Sequence, residues 1–215
     1  MALTVDDVIV SRAGTLLHVR HGAERAEILI DALGQPAVDA AVQAMDARLA
    51  SGATLADALD AATSIRDVAR RCERIAAPGE LLVLDDRDAV TPADVRRSLQ
   101  VLAGLTRGTD ARSFAVVGEL DTEPADWFEA HDALGRIVVR LDVSQLIVVG
   151  HGARHLHNAA GLEGSWDGES LLVDTADEAY AGVRDRVRAG DIVLVTAGGR
   201  TDLGPLVDRL IGVAA

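Results

Sequence analysis

The chain has 215 residues, of which 49% are hydrophobic, 26% are charged and only 2% are aromatic. This length suits one large domain, or one domain with a fragment of a second, whose core is built from alanine, valine and leucine. The net charge of −13 and the lack of a basic stripe exclude non-specific nucleic-acid binding, which needs lysine and arginine on phosphates. Cys72 is the single cysteine, so an intrachain disulfide is excluded. The acidic start without a signal-like pattern and the short apolar runs predict no membrane insertion, and we expect a soluble, cytoplasmic protein.

Residues 1–75 predict a small α+β segment. The strands expected here are 4–11, 15–22 and 26–34, the last two as an antiparallel pair. Two helices are expected at 35–52 and 54–65, the second with Thr54 as its N-cap. These elements are few for a separate core, so we expect the segment to pack on the rest of the chain or to act as a pairing surface. The best candidate for a linker is 66–80.

Residues 76–215 predict a second domain in which strands and helices alternate. The expected strands are 81–86, 113–120, 144–150, 170–174 and 191–199, and the expected helices are 91–105, 123–141, 152–161, 175–190 and 203–212. Apolar strands without polar alternation are typical of a parallel sheet covered on both faces. We therefore predict a Rossmann-like α/β domain with a mostly parallel sheet and helices on both faces.

Three carboxylates, Asp85, Asp86 and Asp88, follow the first strand of this domain, at the edge where open α/β sheets bind ligands. One interpretation is a Mg²⁺ site that holds the ion through water. The other is a solvated acidic loop that leads into the next helix. We favour the loop, because the sequence contains no phosphate-binding element, and magnesium in such sites is usually shared with a bound phosphate.

A turn at Gly198, Gly199 and Arg200 connects the last strand to the last helix. Backbone N–H groups in such a turn can bind an anion. The other interpretation, which we favour, is a tight strand-to-helix turn that needs glycine for its backbone geometry.

The histidines also have two interpretations each. His131 stands in a helix beside Glu129 and Asp132, where it is either a general acid or base or a polar link between helix and loop. The second role is the commoner one for such a histidine. His151, His155 and His157 cluster at the start of a helix, and the four-residue spacing of His151 and His155 places two imidazoles on one helical face, as metal ligands require. No carboxylate or cysteine lies at the spacing that would complete a site, so we predict no metal site.

Large aromatic side chains are rare in this chain, which has two tryptophans and two phenylalanines. Trp127 and Phe128 follow an acidic loop at the start of a predicted helix. Such a pair is either a hot spot for a protein partner or part of the core. Trp166 is the other large anchor.

Several motifs in order resemble the Mur ligases, and within them the D-alanyl-D-alanine-adding branch, MurF. The strongest stretch is 116–154, where Gly118, Glu119, His131 and Gly135 stand at the spacing of the family. Residues 81–103, 191–210 and 14–65 resemble other parts of the family's carboxyl-terminal domain and the end of its central ATPase domain. The resemblance covers roughly 14–212 and implies a Mur ligase carboxyl-terminal domain preceded by a remnant of the central domain.

The chain departs from the family at the residues that bind ligands. The family uses lysines in its phosphate loop, as a carbamylated magnesium ligand and near its carboxyl end, whereas this chain contains no lysine. Thr196 stands at the last of these lysines, and Ala89 and Thr91 replace two asparagines. Arginine cannot be carbamylated and is not a compact point charge. The phosphate loop and the UDP-sugar domain are not found in these residues.

Three functions remain open at this level. The first, which we favour, is a degenerate MurF-like module that acts by contact, with a cell-wall synthesis protein or with itself as a homodimer. The second is half of a split ATP-dependent ligase, the only case in which ATP and magnesium are expected as cofactors. Its candidate residues are Asp86 and His131 for catalysis and Asp85, Asp88, Glu119, Gly198, Gly199 and Arg200 for nucleotide binding. The third is a stand-alone binder of a small molecule or nucleotide.

Overall fold

The computed structural model describes residues 2–163, 166 and 168–212. The chain divides into two compact units, Met1–Val68 and Ala69–Ala215. No helix in the described ranges is long and apolar enough to cross a membrane.

The first unit is a three-stranded antiparallel sheet with two helices. Its elements are β1 (Leu3–Ser11), β2 (Gly14–His21), β3 (Glu24–Ile30), α1 (Gln35–Ala50) and α2 (Leu55–Ala62). The strands follow one another in the sheet, so β1 also belongs to the antiparallel arrangement expected of the other two. A bulge between Val5 and Asp7 shifts the register of β1.

The local signals that begin and end these elements are visible in the sequence. Thr54 caps α2 as expected, because its hydroxyl accepts from the Asp57 amide while the Asp57 carboxylate accepts from the Thr54 amide. Leu17, Ile30 and Met45 are fully buried in one apolar cluster of this unit. The segment thus has a core of its own, which the small number of elements did not lead us to expect.

The second unit contains a six-stranded sheet in the order β4-β5-β9-β6-β7-β8. Its strands are β4 (Glu73–Ala77), β5 (Leu81–Asp86), β6 (Ser113–Val117), β7 (Gln145–Val149), β8 (Glu169–Val173) and β9 (Ile192–Thr196). Its helices are α3 (Pro92–Thr106), α4 (Trp127–Arg140), α5 (Arg154–Leu162), α6 (Ala176–Arg184) and α7 (Gly204–Leu210). All strand pairs are parallel except β4 with β5. The predicted fold class is confirmed.

Helices cover both faces of this sheet. α3, α4 and α5 pack in sequence on one face, and α6 and α7 pack together on the other. Val83, Phe114 and Val193 belong to the fully buried cluster shared with α6 and α7. Their neighbours in the strands point to the opposite face, since side chains alternate along a strand, and this explains why the strands are apolar throughout.

The linker predicted at 66–80 is wrong, because β4 lies within it. β4 is short, half-buried and rich in charge, so it has no strand-like pattern of its own. It is ordered by antiparallel pairing to β5 through the turn Pro78–Glu80.

α6 ends six residues before the predicted end at 190. The charged segment after Arg184 has a helical composition, but its backbone binds elsewhere. The Arg188 amide donates to the Asp191 carboxylate (2.8 Å), and the Arg112 guanidinium donates to the Arg186 carbonyl (2.5 Å). The helix therefore ends where the backbone is bound by two side chains, that of the nearby Asp191 and that of Arg112, which is 74 residues away in the sequence.

The contact between α4 and α5 depends on Gly135, where a Cβ atom would lie 2.4 Å from the Leu156 carbonyl oxygen. We expect Gly135→Ala to lower the free energy of unfolding by about 1–3 kcal/mol, because the helices must separate. Gly161→Ala is the matched control, since it is also helical and its Cβ would meet nothing within 4 Å. We expect this control to lose no stability and to gain up to about 1 kcal/mol from helix propensity. Equal losses in urea denaturation would contradict the close packing.

Candidate functional site

The candidate site lies at the carboxyl ends of β5, β9 and β6. β9 stands between β5 and β6 in the sheet, and the helix that follows it, α7, packs on the other face from α3 and α4. The connections after neighbouring strands thus leave in opposite directions, which opens a crevice at this edge. The loops that follow these three strands contain most of the residues singled out in the sequence.

Asp86 is buried beneath the crevice, and its carboxylate is hydrogen-bonded within the chain. Its carboxylate accepts a hydrogen bond from the Cys72 amide (3.0 Å) and another from the Thr196 hydroxyl (2.8 Å). Burial raises the pKa of Asp86 from its ordinary 3.8 to about 6, against the opposing effects of Ser98 and Thr196. Asp86 therefore joins β5, β9 and the start of β4 and does not reach the open crevice.

Asp85 is also nearly inaccessible, and it forms a two-point ion pair with Arg87. The Arg87 Nε and Nη2 atoms donate to the two carboxylate oxygens at 2.9 and 2.8 Å. Asp88 is exposed, with an oxygen 3.9 Å from the Arg70 guanidinium. The two arginines neutralise much of the charge that an acidic magnesium site would need.

The turn after β9 is held against the loop after β5. The Ala197 amide donates to the Ala89 carbonyl and the Gly198 amide to the Arg87 carbonyl, both at 3.0 Å. Gly199 is needed for space, because a Cβ there would lie 2.7 Å from the Val90 side chain. The amides of Ala197 and Gly198 are thus used within the chain.

Arg200 faces the loop after β6. Its guanidinium lies 3.1 Å from the Asp121 carboxylate and 3.6 Å from that of Glu119. The Glu119 amide donates to the Thr201 hydroxyl (3.2 Å). At Gly118 a Cβ would lie 2.3 Å from the Ala197 carbonyl oxygen, so this glycine lets the two loops approach. The structure brings Glu119 and Arg200 together as partners.

His131 is fully buried below the loop after β6. Its Nδ1–H donates to the Trp127 carbonyl (2.8 Å), and its Nε2 accepts from the Leu120 amide (3.3 Å). The Leu120 amide requires an unprotonated Nε2, and burial lowers the pKa of His131 against the opposing effect of the Trp127 carbonyl. Both ring nitrogens are occupied, which is the geometry of a link between helix and loop.

The other histidines are not brought together. His157 hydrogen-bonds Ser170 (2.7 Å), and His155 lies edge-on to the Trp127 ring, with centroids 5.0 Å apart. In the part of the chain that the structure describes, no group of three or more metal-ligating side chains is placed to hold an ion. The Trp166 indole donates to the Val143 carbonyl (3.0 Å).

An open cavity of about 290 Å³ lies in the crevice. It is lined by Arg70, Arg87, Asp88, Val90, Gly198, Gly199, Asp202 and Leu203. Arg70 and Arg87 were not among the site residues predicted from the sequence. The run Asp-Asp-Arg-Asp at 85–88 was the available signal, since an arginine two residues from a carboxylate at a strand end can turn back onto it.

Comparison with known proteins identifies the family. A family model described as "Mur ligase, glutamate ligase domain" matches residues 70–199, and the chain belongs to this family. The chain is 34% identical over 207 residues to UDP-N-acetylmuramoyl-tripeptide--D-alanyl-D-alanine ligase of Mycobacterium tuberculosis, an alignment of 89% of this chain and 40% of that protein. The resemblance to MurF found in the motifs is confirmed. The chain thus spans well under half the length of the curated relatives it matches.

Solved structures of MurF share the fold. MurF from Thermotoga maritima in complex with ADP has a TM-score of 0.79 at 16% identity, over 98% of this chain and 46% of that one. MurF from Acinetobacter baumannii also has a TM-score of 0.79, at 17% identity, over 97% and 44% of the two chains.

Replacing Asp86 tests the buried carboxylate. Because its pKa is raised in the folded protein, the folded chain binds this proton more tightly than the unfolded chain, and wild-type stability falls as the pH rises from 3.8 through about 6. Asp86→Asn has no such titration. We expect the free energy of unfolding of the variant, relative to wild type, to rise by about 2.4 kcal/mol between about pH 4 and about pH 7.5.

Urea denaturation of both proteins at each pH measures this difference. The other carboxylates titrate in wild type and variant alike, so they cancel when the two are subtracted. A difference that does not change with pH would contradict the burial of a charged Asp86.

Proposed function

We propose that this chain is a MurF-like module without ligase activity of its own, which acts through protein contact in peptidoglycan synthesis or its control. The partner is a protein of cell-wall synthesis or a second copy of the chain. The observation that carries the proposal is that the polar side chains of the crevice are already paired with one another.

The pairing leaves little for a nucleotide to bind. Phosphate groups need cations and free backbone amides, and a magnesium ion needs accessible carboxylates. Arg87 is committed to Asp85, and Arg200 faces Glu119 and Asp121. The Asp85 carboxylate is buried and the Arg87 side chain is partly buried, so a ligand that drew Arg87 away would leave a buried charge without its partner, at a cost of up to about 3–5 kcal/mol.

The end of β9 supports the same proposal. The resemblance places a lysine of the family at Thr196, which is fully buried and donates to Asp86. A mobile cation at this point is therefore replaced by an uncharged hydroxyl that faces inward. The reaction of Mur ligases transfers a phosphate to a carboxylate, and a hydroxyl in this position offers the phosphate no charge.

The split ligase is the second candidate. Arg200 lies beside the crevice and is about half exposed, and its carboxylate partners are on a neighbouring loop. A second chain with a phosphate loop could draw Arg200 away from Glu119 and Asp121. The cavity of about 290 Å³ keeps the small-molecule binder as a third candidate, since it is close to the lower limit of ligand pockets.

Nucleotide binding by the purified chain tests the proposal. We expect no binding heat and no hydrolysis with Mg-ATP or Mg-ADP at about 1 mM, the upper end of ordinary substrate affinities. MurF of Mycobacterium tuberculosis, measured in the same buffer, is the positive control. Hydrolysis by the chain alone, or saturable nucleotide binding, would overturn the proposal.

A further inference from the structure

An aromatic cluster lies on the surface where α4 meets α5. We call it the aromatic seam, and it consists of Trp127, Phe128 and His155. The His155 ring lies edge-on to both neighbours, with centroids 5.0 Å from Trp127 and 4.6 Å from Phe128. The Phe128 side chain is 52% exposed. Two of the few aromatic residues of this chain are thus placed side by side, Phe128 exposed and Trp127 half-buried.

The seam is held rigidly from below. The buried His131 binds the Trp127 carbonyl, and the Trp127 ring lies 5.3 Å from the His131 ring. Gly135 locks the two helices at close distance further along. A preorganised aromatic surface loses little entropy on binding, which is the property of protein-interface hot spots.

The two sides of the seam carry opposite charge. The α4 side, 121–132, contains five carboxylates and no arginine. The α5 side, 151–162, contains no carboxylate, and Arg154 is its one formally charged side chain. The Arg154 guanidinium lies 5.1 Å from the centre of the Trp127 ring, and Glu129 is exposed on the acidic side.

This division makes the surface complementary to itself. In a two-fold dimer, the same patch meets itself across the axis. If the axis runs along the seam within the interface, the rotation exchanges its sides, so the acidic side of one copy faces the basic side of the other. Phe128 then lies beside Phe128 of the second copy, near the axis. A patch with a single sign of charge would repel its own copy, whereas this one attracts it.

We infer that the chain forms a two-fold homodimer through the aromatic seam. This inference names a partner and a surface for the contact function proposed above, and in that role it rests on the proposed function. Its test involves no nucleotide, so the two can fail separately. A chain that bound ATP could still dimerise, and an inactive chain could prove monomeric.

Sedimentation equilibrium of the full chain, from about 1 µM to about 1 mM, the range of moderate affinities, measures the association. We expect a monomer–dimer equilibrium that weakens as salt is added, since the flanking charges are exposed. Phe128→Ala should weaken it about tenfold or more, as expected of a central aromatic residue. The matched control is Leu29→Ala, because Leu29 is 50% exposed and lies in the other unit. The control should leave the dissociation constant unchanged.

Exchanging the charges of Glu129 and Arg154 tests whether the acidic side of one copy faces the basic side of the other. Glu129→Arg and Arg154→Glu should each weaken the dimer, since each places like charges opposite one another in the two copies. The double variant should recover most of the affinity, because the two sides again have opposite charge. Circular dichroism confirms that each variant is folded. A chain that stays monomeric, a dimer that ignores these substitutions, or a double variant no better than the single ones would overturn the inference.

Discussion

The hydrogen bonds of the buried Asp86 carboxylate are the constraint on which the second unit depends. Asp86 joins the end of β5 to Thr196 at the end of β9, and it also binds the Cys72 amide just before β4. Cys72 has a left-handed backbone, with φ of 58°, which is unfavourable for a residue with a side chain. The hydrogen bond from the Cys72 amide to the charged Asp86 carboxylate offsets that cost. One carboxylate thus sets the register at the central strands and holds the first strand of the sheet in place.

The loops above Asp86 follow from this fixed base. Once Thr196 faces inward, Ala197 turns back with φ of 59°, and its amide reaches the loop after β5. Arg87 and Arg200 then lie near carboxylates and pair with them. Because the chain has 34 carboxylates and 21 arginines, an arginine at the edge of the sheet has carboxylates near it with which it can pair. The crevice retains the shape of a binding site, while its charges are satisfied internally.

Local signals were sufficient for most of the fold. Thr54, Thr91 and Thr175 begin the helices that the sequence assigned to them, because each hydroxyl accepts from an amide within the next three residues. Apolar runs located five strands of the sheet. β4 was missed because its order comes from pairing with β5, and the early end of α6 was missed because the Arg112 side chain, 74 residues away, binds the Arg186 carbonyl.

The site was less accessible to sequence reasoning. The candidate residues were located at the correct edge of the sheet, since βα alternation places them there. Their partners depend on how three separate loops meet, as in the contacts of Arg200 with Glu119 and of His131 with the Leu120 amide. The roles of these residues as catalytic or nucleotide-binding groups stay predictions.

If the crevice has lost its nucleotide site, its arginines remain paired with carboxylates when nucleotide is present. Nitrogen-15 NMR of the arginine Nε–H groups, titrated with Mg-ADP, tests it directly, with Arg87→Gln and Arg200→Gln variants assigning the two signals. We expect that neither signal shifts and that the Arg87 Nε–H, held by Asp85, exchanges slowly with water. A saturable shift of either signal, with release of the Arg200 contact, would contradict the account and favour a crevice that still opens to a nucleotide.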